Sequence, residues 1–403
     1  MLKKSYLGLS VLIMVMAITL VITGTALASE QGVTDDTIEI GSVGVQSGPT
    51  AFIGIPYYQG MRAYFNTIND EGGVEGREID LTVRDDEFDP AQARDHIEEL
   101  IHDEDVFAIV GQLGTPGVVS AAELVREAGI PSVYFGSGAV ELTELGENFF
   151  PVQPNYVHEG KMKAMYAEEF FEADSIAVLY QNDDVGRDGL AGVEQGLEEM
   201  GREDMLDDDA AISYSPGTTD FTSQIQQVMV QDPDLLIIYG LADTASLIVR
   251  AAEDFGLDMP MLTTYSNADN SFIETIEPAE TAPNVIENLH IMGWLEVDDE
   301  SLRPLQNAME EYYPEGIINS YTMAGWVAGE TFVAGLREVE GELTWENYIE
   351  AMNQLHFTEG MAQVISFEPG VREGVTHMAV NQVVEVNGEY EMQQASEFND
   401  FLE

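Results

Sequence analysis

The chain has 403 residues, of which 45% are hydrophobic, and 74 Asp and Glu against 15 Lys and Arg give a formal net charge of −59. This length is too great for one ordinary core and suits two α/β lobes. An acidic excess spread along an apolar-rich chain argues against wholesale disorder and against nucleic acid as a partner. Because salt screens the repulsion among so many carboxylates, we expect a halophilic protein.

The first 28 residues have the three parts of a secretory signal. Lys3 and Lys4 precede a long apolar run, which ends in the small residues around Ala26 and Ala28. We expect export with cleavage after Ala28, although the run is also long enough to remain as an anchor. The chain has no cysteine, which excludes disulfides, a thiolate nucleophile and a cysteine-linked lipid anchor.

From residue 37 onward, short apolar segments alternate with amphipathic ones at the spacing of β–α units. The predicted strands of the first unit cover residues 37–44, 78–85, 106–111 and 130–135. The predicted helices cover residues 57–71, 90–102 and 117–128, the second opened by Asp89 as a cap before Pro90. This alternation predicts a parallel, doubly wound sheet.

The alternation breaks at the prolines within residues 149–156 and then resumes as a second unit. Its predicted helices cover residues 158–172, 186–200, 220–231 and 242–255, and its predicted strands cover 175–180, 210–213, 234–240 and 259–264. An extended segment at 289–297 and helices near 300–312, 320–340 and 344–355 follow. The tail alternates as strands, with Asn387-Gly388 a typical hairpin turn.

Each lobe is expected to combine separate parts of the chain, because the late helices must bury their apolar faces against a sheet. Lobe 1 is predicted to contain residues 36–154 and 298–355, and lobe 2 residues 155–288 and 363–403. The chain would cross between the lobes near residues 152–157, 288–297 and 356–362.

A glycine-rich bend, residues 111–117, follows the third predicted strand and contains Gln112, Gly114 and Thr115. In open α/β sheets, ligands bind at the carboxyl ends of strands, where the next helix begins. The backbone N–H groups of this bend and the Thr115 hydroxyl would suit a carboxylate or phosphate. The alternative is an ordinary turn that needs glycine for its φ angles. The bend matches no nucleotide-binding motif.

A similar bend, formed by Gly136, Ser137 and Gly138, follows the fourth predicted strand. Parallel strands end at the same edge of a sheet, so the two bends should converge there. Their convergence favours a binding site over two unrelated turns.

Catalytic and metal motifs are missing from the sequence. The six His show no paired metal-ligand spacing, and no Ser lies in a G-x-S-x-G motif. The acidic clusters at 183–184 and 207–209 could hold a hard cation, but a solvated surface accounts for them in so acidic a chain. We expect no enzyme, no cofactor and no metal.

Four motifs resemble those of the periplasmic substrate-binding proteins of branched-chain amino acid and amide ABC importers. They are S-G-P near residue 48, N-x-x-G-G-V-x-G at 69–76, D-D-x-x-D-P at 85–90 and D-x-G-x-x-G-L at 184–190. The similarity covers nearly all of the chain after the signal. It implies a type I periplasmic binding protein fold, with two Rossmann-like lobes that are joined by three crossings and close on a small solute.

The resemblance also implies roles for the two bends. Thr115 matches the hydroxyl residue that binds the ligand carboxylate, and Gly136 matches a backbone carbonyl that accepts from the ligand ammonium. Ser137 and Gly138 lie where a second carboxylate-binding hydroxyl is usual.

The sequence departs from the branched-chain pattern on the second lobe. Tyr265 stands where a carboxylate would hold the ammonium, and Val185 replaces a ligand-covering Tyr. A buried ammonium without a partner would be costly. Tyr265, Phe52 and Tyr156 could instead form aromatic walls, packing within the lobes being the alternative for all three. The expected solute is an amino acid, an amide or a carboxylate, including aromatic ones.

We therefore expect a monomeric periplasmic receptor that delivers its solute to the membrane permease subunits of an ABC importer by closure of its cleft. The alternative is a ligand-sensing receptor or regulator domain of the same fold. Genes for a permease and an ATPase beside this one would favour the importer.

Overall fold

The computed structural model describes residues 30–276, 286–387 and 389–401. The predicted signal at 1–28 and Gly388 of the predicted hairpin turn lie outside the described residues. Within the described ranges, no helix is both long and apolar enough to cross a membrane.

The first sheet is wholly parallel. Its strands are β1 (Thr37–Val43), β2 (Glu78–Arg84), β3 (Ala108–Leu113), β4 (Ser132–Gly136) and β5 (Phe149–Phe150). Their order is β2-β1-β3-β4-β5, and every residue of β3 is buried. Burial on both faces explains why this strand reads as a continuous apolar run.

Three helices follow the first three strands. They are α1 (Ala51–Asp70), α2 (Pro90–His102) and α3 (Thr115–Ala128). The Asp89 side chain accepts a hydrogen bond from the N–H of Ala91, as the predicted cap requires. The predicted start of α1 at Tyr57 is wrong, because the helix begins six residues earlier and holds Pro56 in its second turn. A proline there removes one backbone bond without ending the helix.

The second sheet is mixed. Its strands are β6 (Ile176–Gln181), β7 (Ala211–Tyr214), β8 (Leu235–Tyr239), β9 (Met261–Thr263), β10 (Leu289–Gly293), β13 (Ala379–Val386) and β14 (Glu389–Gln394), with the separate pair β11 (His356–Phe357) and β12 (Ile365–Ser366) between them in sequence. The order is β14-β13-β10-β9-β8-β6-β7. β13 is antiparallel to both of its neighbours, which confirms the predicted hairpin.

The remaining helices divide between the two sheets. They are α4 (Tyr156–Glu169), α5 (Asp184–Met200), α6 (Thr222–Gln231), α7 (Ala242–Phe255), α8 (Asn270–Thr275), α9 (Asp299–Tyr312), α10 (Ser320–Arg337) and α11 (Trp345–Met352). α10 packs closely on α1 of the first sheet. A Cβ added at Gly325 would lie only 1.8 Å from the carbonyl oxygen of Tyr57, so this approach requires glycine. The first lobe, meaning the first sheet with its helices, therefore uses distant parts of the chain.

The second predicted crossing needs a correction. Residues 289–293 form β10, which is hydrogen-bonded to β9 and β13, so the chain leaves the second sheet only after Gly293. This apolar strand is buried in the sheet rather than extended between lobes. Beyond it, Leu295 bridges to Ala362 of the third predicted crossing. The exact lobe boundaries stay a prediction.

Candidate ligand-binding site

The two glycine-rich bends meet at the carboxyl end of the first sheet. Leu113 at the end of β3 is paired with Gly136 at the end of β4, and the Thr115 and Ser137 hydroxyl oxygens are 2.7 Å apart. Gly114 has a φ of +98°, a conformation that favours glycine, and Thr115 is the first residue of α3. The bends thus place two hydroxyls beside a helix N-terminus, where an anion is favoured.

A cavity of about 520 Å³ lies against these bends and is bounded by both sheets. Six of the nine predicted site residues line it: Gly114, Thr115, Gly136, Ser137, Tyr156 and Tyr265. Much of the remaining lining is aromatic or aliphatic, including Tyr57, Phe88, Leu113, Trp294 and Tyr321. This size and character are typical of a small-molecule site.

The other three predicted site residues do not line the cavity. Gln112 is buried, and its amide nitrogen has no partner among the described residues. Phe52 is 46% exposed and makes an edge contact with Tyr321, so it lies at the outer margin. A Cβ at Gly138 would lie 2.4 Å from the Tyr265 hydroxyl, which indicates that this glycine admits the tyrosine. Ligand contact by these three stays a prediction.

Tyr156 and Tyr265 form an aromatic wall of the cavity. Their rings are stacked, with centroids 6.1 Å apart and an interplanar angle of 23°. Trp294 packs edge-on against Tyr265 at 6.4 Å. The Tyr156 N–H donates to the Gly138 carbonyl, which joins this wall to the second bend.

Gln153 fixes the inner side of the site. In one orientation of its amide, the oxygen accepts hydrogen bonds from the N–H groups of Ser137 and Gly138, at 3.3 and 3.1 Å. The same oxygen lies 3.0 Å from the Tyr265 hydroxyl. The amide nitrogen then donates to the hydroxyl of Tyr134. The Tyr265 hydroxyl also lies 3.0 Å from the carbonyl oxygen of Pro154. These N–H groups and this hydroxyl are therefore already engaged within the protein.

A buried ion pair supports Tyr265 from behind. Glu159 on α4 accepts from the Tyr265 N–H and the Thr264 hydroxyl, at 3.0 and 2.9 Å. Lys163, one turn further along, lies 3.3 Å from the same carboxylate and 3.6 Å from the ring centroid of Tyr239. Burial lowers the pKa of Lys163 to about 8, although Glu159 opposes the shift. The pair holds the turn that carries Tyr265.

The polar groups at the cavity surface are mainly neutral. No Lys or Arg is among the described residues that line it. Burial raises the pKa of Tyr156 to about 12, although hydrogen bonds with Gly138 and Ser137 lower it. The two acids of the lining have local partners, since Asp183 accepts from the Gly186 N–H and Asp184 pairs with Arg187 at 2.9 Å. The cavity lining thus offers mainly hydroxyls and backbone groups as hydrogen-bonding partners.

The two lobes touch on both sides of the cavity. Ser320 at the start of α10 donates its N–H to Asp269 at 2.9 Å and its hydroxyl to the Ser266 carbonyl at 2.7 Å. On the other side, the Val140 N–H donates to the Asp188 carboxylate at 3.0 Å. Burial raises the pKa of Asp188. The structure thus has a cleft with contacts across its rim.

Sequence reasoning missed Gln153, Trp294 and Tyr321 as site residues. Gln153 lies in the proline-rich break between the two predicted units, and Trp294 lies in the segment interpreted as a crossing. Both positions were signals that these residues lie near the cleft, because the segments that cross between the lobes form the base of the cleft. Tyr321 had no such signal, since it lies near the start of a helix that is distant in sequence from both bends.

Comparisons with known proteins agree with this architecture. A family model described as periplasmic binding protein matches residues 37–389. An amino acid binding protein of Pseudomonas aeruginosa is 27% identical over 222 residues, 55% of this chain and 58% of that protein. The matched segments thus span less than two thirds of the first curated relatives.

Two solved structures show the same fold at 20% identity and a TM-score of 0.76. One is a fatty acid ABC transporter substrate-binding protein from Thermomonospora curvata, covering 94% of this chain and 96% of that one. The other is an ABC transporter solute-binding protein from R. palustris in complex with 4-hydroxybenzoate, covering 91% and 98%. The chain belongs to the periplasmic binding protein family, whose members bind solutes and are not enzymes.

Proposed function

We propose that this chain is an extracytoplasmic receptor that binds a small apolar monocarboxylate, aromatic or aliphatic, and delivers it to an ABC importer. The observation that carries the proposal is the Thr115–Ser137 hydroxyl pair at the start of α3, which opens into a largely apolar cavity. One of these hydroxyls donates to the other in this structure, which leaves one hydroxyl proton and the helix N-terminus to suit one carboxylate, while the aromatic walls suit an apolar body.

An α-amino acid fits this cavity less well. Its ammonium would need a carboxylate close by, but Tyr265 occupies the position that the resemblance assigns to that group, and the Tyr265 hydroxyl already contacts Gln153 and Pro154. Asp183 and Asp184 line the cavity but are engaged by local donors. A buried ammonium left unpaired would oppose binding. The relatives bind amino acids, fatty acids and aromatic acids according to their names, so the family accommodates each class.

A thermal-shift screen in concentrated salt tests the proposed ligand class, because a ligand that binds the native state raises the unfolding midpoint. The panel contains benzoate, phenylacetate, hexanoate, leucine, an aliphatic amide and urea. We expect the monocarboxylates to raise the midpoint and leucine to have little effect. A shift with leucine, amide or urea alone would contradict the proposal.

The importer role is tested by the genes beside this one, since a permease and an ATPase encoded there would distinguish it from the alternative of a ligand sensor. We further propose that the protein acts as a monomer outside the cytoplasm. Gel filtration at several protein concentrations checks the first point, and fractionation of the source cells checks the second.

Adaptation to salt forms a separate part of the proposal. Raising the salt concentration from ~0.15 M to ~1 M shortens the Debye length from about 8 to about 3 Å, which weakens repulsion among the acids. We expect the unfolding midpoint to rise over this range in sodium chloride. A midpoint independent of salt would argue against a halophilic protein.

A further inference from the structure

The loop between β2 and α2 has an unusual backbone. It contains the D-D-x-x-D-P motif at 85–90, and the φ angles of Glu87 and Phe88 are both positive, at 51° and 64°. This left-handed conformation is uncommon outside glycine, and for a bulky residue such as Phe88 it is an outlier. Backbone strain of this kind persists only where the surrounding structure imposes it, and it is concentrated at ligand clamps and switch regions.

Hydrogen bonds to two carboxylates hold the loop in this conformation. The buried Asp86 carboxylate accepts from the Phe88 N–H at 2.9 Å. The Asp85 carboxylate accepts from the Glu87 N–H at 3.1 Å and from the Gln46 N–H, just after β1, at 2.8 Å. Each of the two left-handed residues is thus fixed by one of the two aspartates before them, and the loop itself sets the position of Phe88.

The Phe88 ring lies over the first glycine-rich bend. A Cβ added at Gly114 would lie 2.8 Å from this ring, so the ring packs on the residue directly before Thr115. Phe88 also lines the cavity and is 44% exposed. A ring that faces both the cavity and the solvent lies at the mouth of the cavity, here beside the start of α3.

We propose that Phe88 covers the ligand carboxylate at the start of α3 and slows its release, with Asp86 as the residue that positions the ring. This inference rests on the proposed function, since it assumes that a carboxylate binds beside Thr115. A ring at this place excludes water from the hydrogen bonds of the carboxylate, and such bonds are stronger in less polar surroundings. The strained loop is then the means by which the first lobe retains its ligand.

Stopped-flow mixing with benzoate and hexanoate tests the covering role, followed by tryptophan fluorescence because Trp294 lines the cavity. In both Phe88→Ala and Phe88→Gly, each acid should dissociate about tenfold faster, with little change in association. Glycine adopts a positive φ without strain, so Phe88→Gly should unfold at a higher temperature than Phe88→Ala while it releases the acids equally fast. Met229→Ala is the control, because Met229 is 47% exposed and is not among the described residues that line the cavity.

The positioning role of Asp86 is tested by its own variants. Asp86→Ala should speed release in the wild type but not in Phe88→Ala, because it acts through the ring. Asp86→Asn keeps an oxygen that can accept from the Phe88 N–H and should release the acids more slowly than Asp86→Ala. In the ligand-free protein, hydrogen exchange at residues 86–89 should be faster in Asp86→Ala than in the wild type.

The outcomes separate this inference from the proposed function. If either acid binds the wild type and leaves both Phe88 variants no faster, the covering role is wrong and the proposed ligand class stands. Faster release from Phe88→Ala but not from Phe88→Gly also overturns the covering role, since both variants lack the ring. Unchanged exchange in Asp86→Ala overturns the positioning role, whether or not an acid binds. If neither acid binds the wild type, the proposed class fails and the covering role fails with it.

Discussion

The two lobes hold their polar groups differently around the same cavity. The first lobe presents the Thr115 and Ser137 hydroxyls directly to the cavity, at the ends of two parallel strands. The second lobe presents aromatic rings and keeps its strongest charges, Glu159 and Lys163, behind Tyr265. Hydroxyls thus face the cavity from the first lobe, and the buried ion pair lies behind an aromatic side chain of the second.

The lobes also differ in how they hold a buried carboxylate. Glu159 in the second lobe has a cation beside it, whereas Glu330 on α10 has no ion-pair partner in the part of the chain that the structure describes. Glu330 accepts from the Trp326 indole N–H at 2.7 Å and the Met361 N–H at 3.0 Å. Burial raises the pKa of Glu330 to about 7, although these hydrogen bonds lower it. We therefore expect stability to fall when Glu159 loses its cation, and we expect the ionisation of Glu330 to make stability depend on pH.

Removing the cation from the second lobe should have the largest effect. Lys163→Met leaves the Glu159 carboxylate buried without its partner, which should lower the free energy of unfolding by about 3–5 kcal/mol. Chemical denaturation at pH 7 measures this loss. The double variant Glu159→Gln/Lys163→Met has no buried charge and should recover at least half of it. A single variant as stable as the wild type would contradict a supporting role for the pair.

The pH response of Glu330 should be the next largest. Its pKa rises from an ordinary value of 4.5 to about 7 on folding, so the folded state binds more protons between these pH values. Stability therefore falls as the pH rises through this window, by about 3 kcal/mol in total. Glu330→Gln cannot ionise, and it keeps one of the two accepting oxygens, since Trp326 donates to Oε1 and Met361 to Oε2 of the glutamate; the lost bond lowers stability by the same amount at every pH.

Denaturation of both proteins at several pH values from 4.5 to 8 isolates this effect. The other acids titrate alike in both proteins. The free energy of unfolding of Glu330→Gln should therefore rise relative to that of the wild type by about 3 kcal/mol between the low and the high end of this pH range. Parallel stability curves would show that Glu330 ionises in the fold as easily as in the unfolded chain.

Loss of a hydroxyl in the first lobe should have the smallest effect and should change binding alone. Thr115→Val keeps the shape of the side chain but removes a donor, so a monocarboxylate should bind about 1–3 kcal/mol more weakly. Calorimetric titration measures this change. The control is Thr67→Val on α1, where the hydroxyl bonds to the Ala63 carbonyl within the helix. Unchanged affinity in Thr115→Val would remove this residue from the site.

Much of the fold follows from local patterns in the sequence. Strand and helix alternation predicted that the first sheet is parallel, and the Asp89–Pro90 pair predicted the start of α2. The start of α1 was placed too late, since the helix begins at Ala51 and continues through Pro56. β10 was interpreted as a crossing because pairing with β13, about ninety residues later, has no local signal.

The site was predictable only in part, for the same reason. Thr115 and Ser137 lie in bends that follow consecutive parallel strands, so their meeting follows from topology. Glu159 and Tyr265 are separated by 106 residues, and no local pattern joins them. The scarcity of lysine could have drawn attention to Lys163, since a chain this acidic places few cations at random. Local patterns indicate which residues form a turn, but tertiary packing decides what lies behind it.

A crystal structure with the monocarboxylate that raises the unfolding midpoint most would test the central claim directly. We expect both carboxylate oxygens of the ligand at the start of α3, within hydrogen-bond distance of the Thr115 and Ser137 hydroxyls, and its apolar body against Tyr156 and Tyr265. A ligand bound with its carboxylate toward the second sheet, or outside the cavity, would contradict the account.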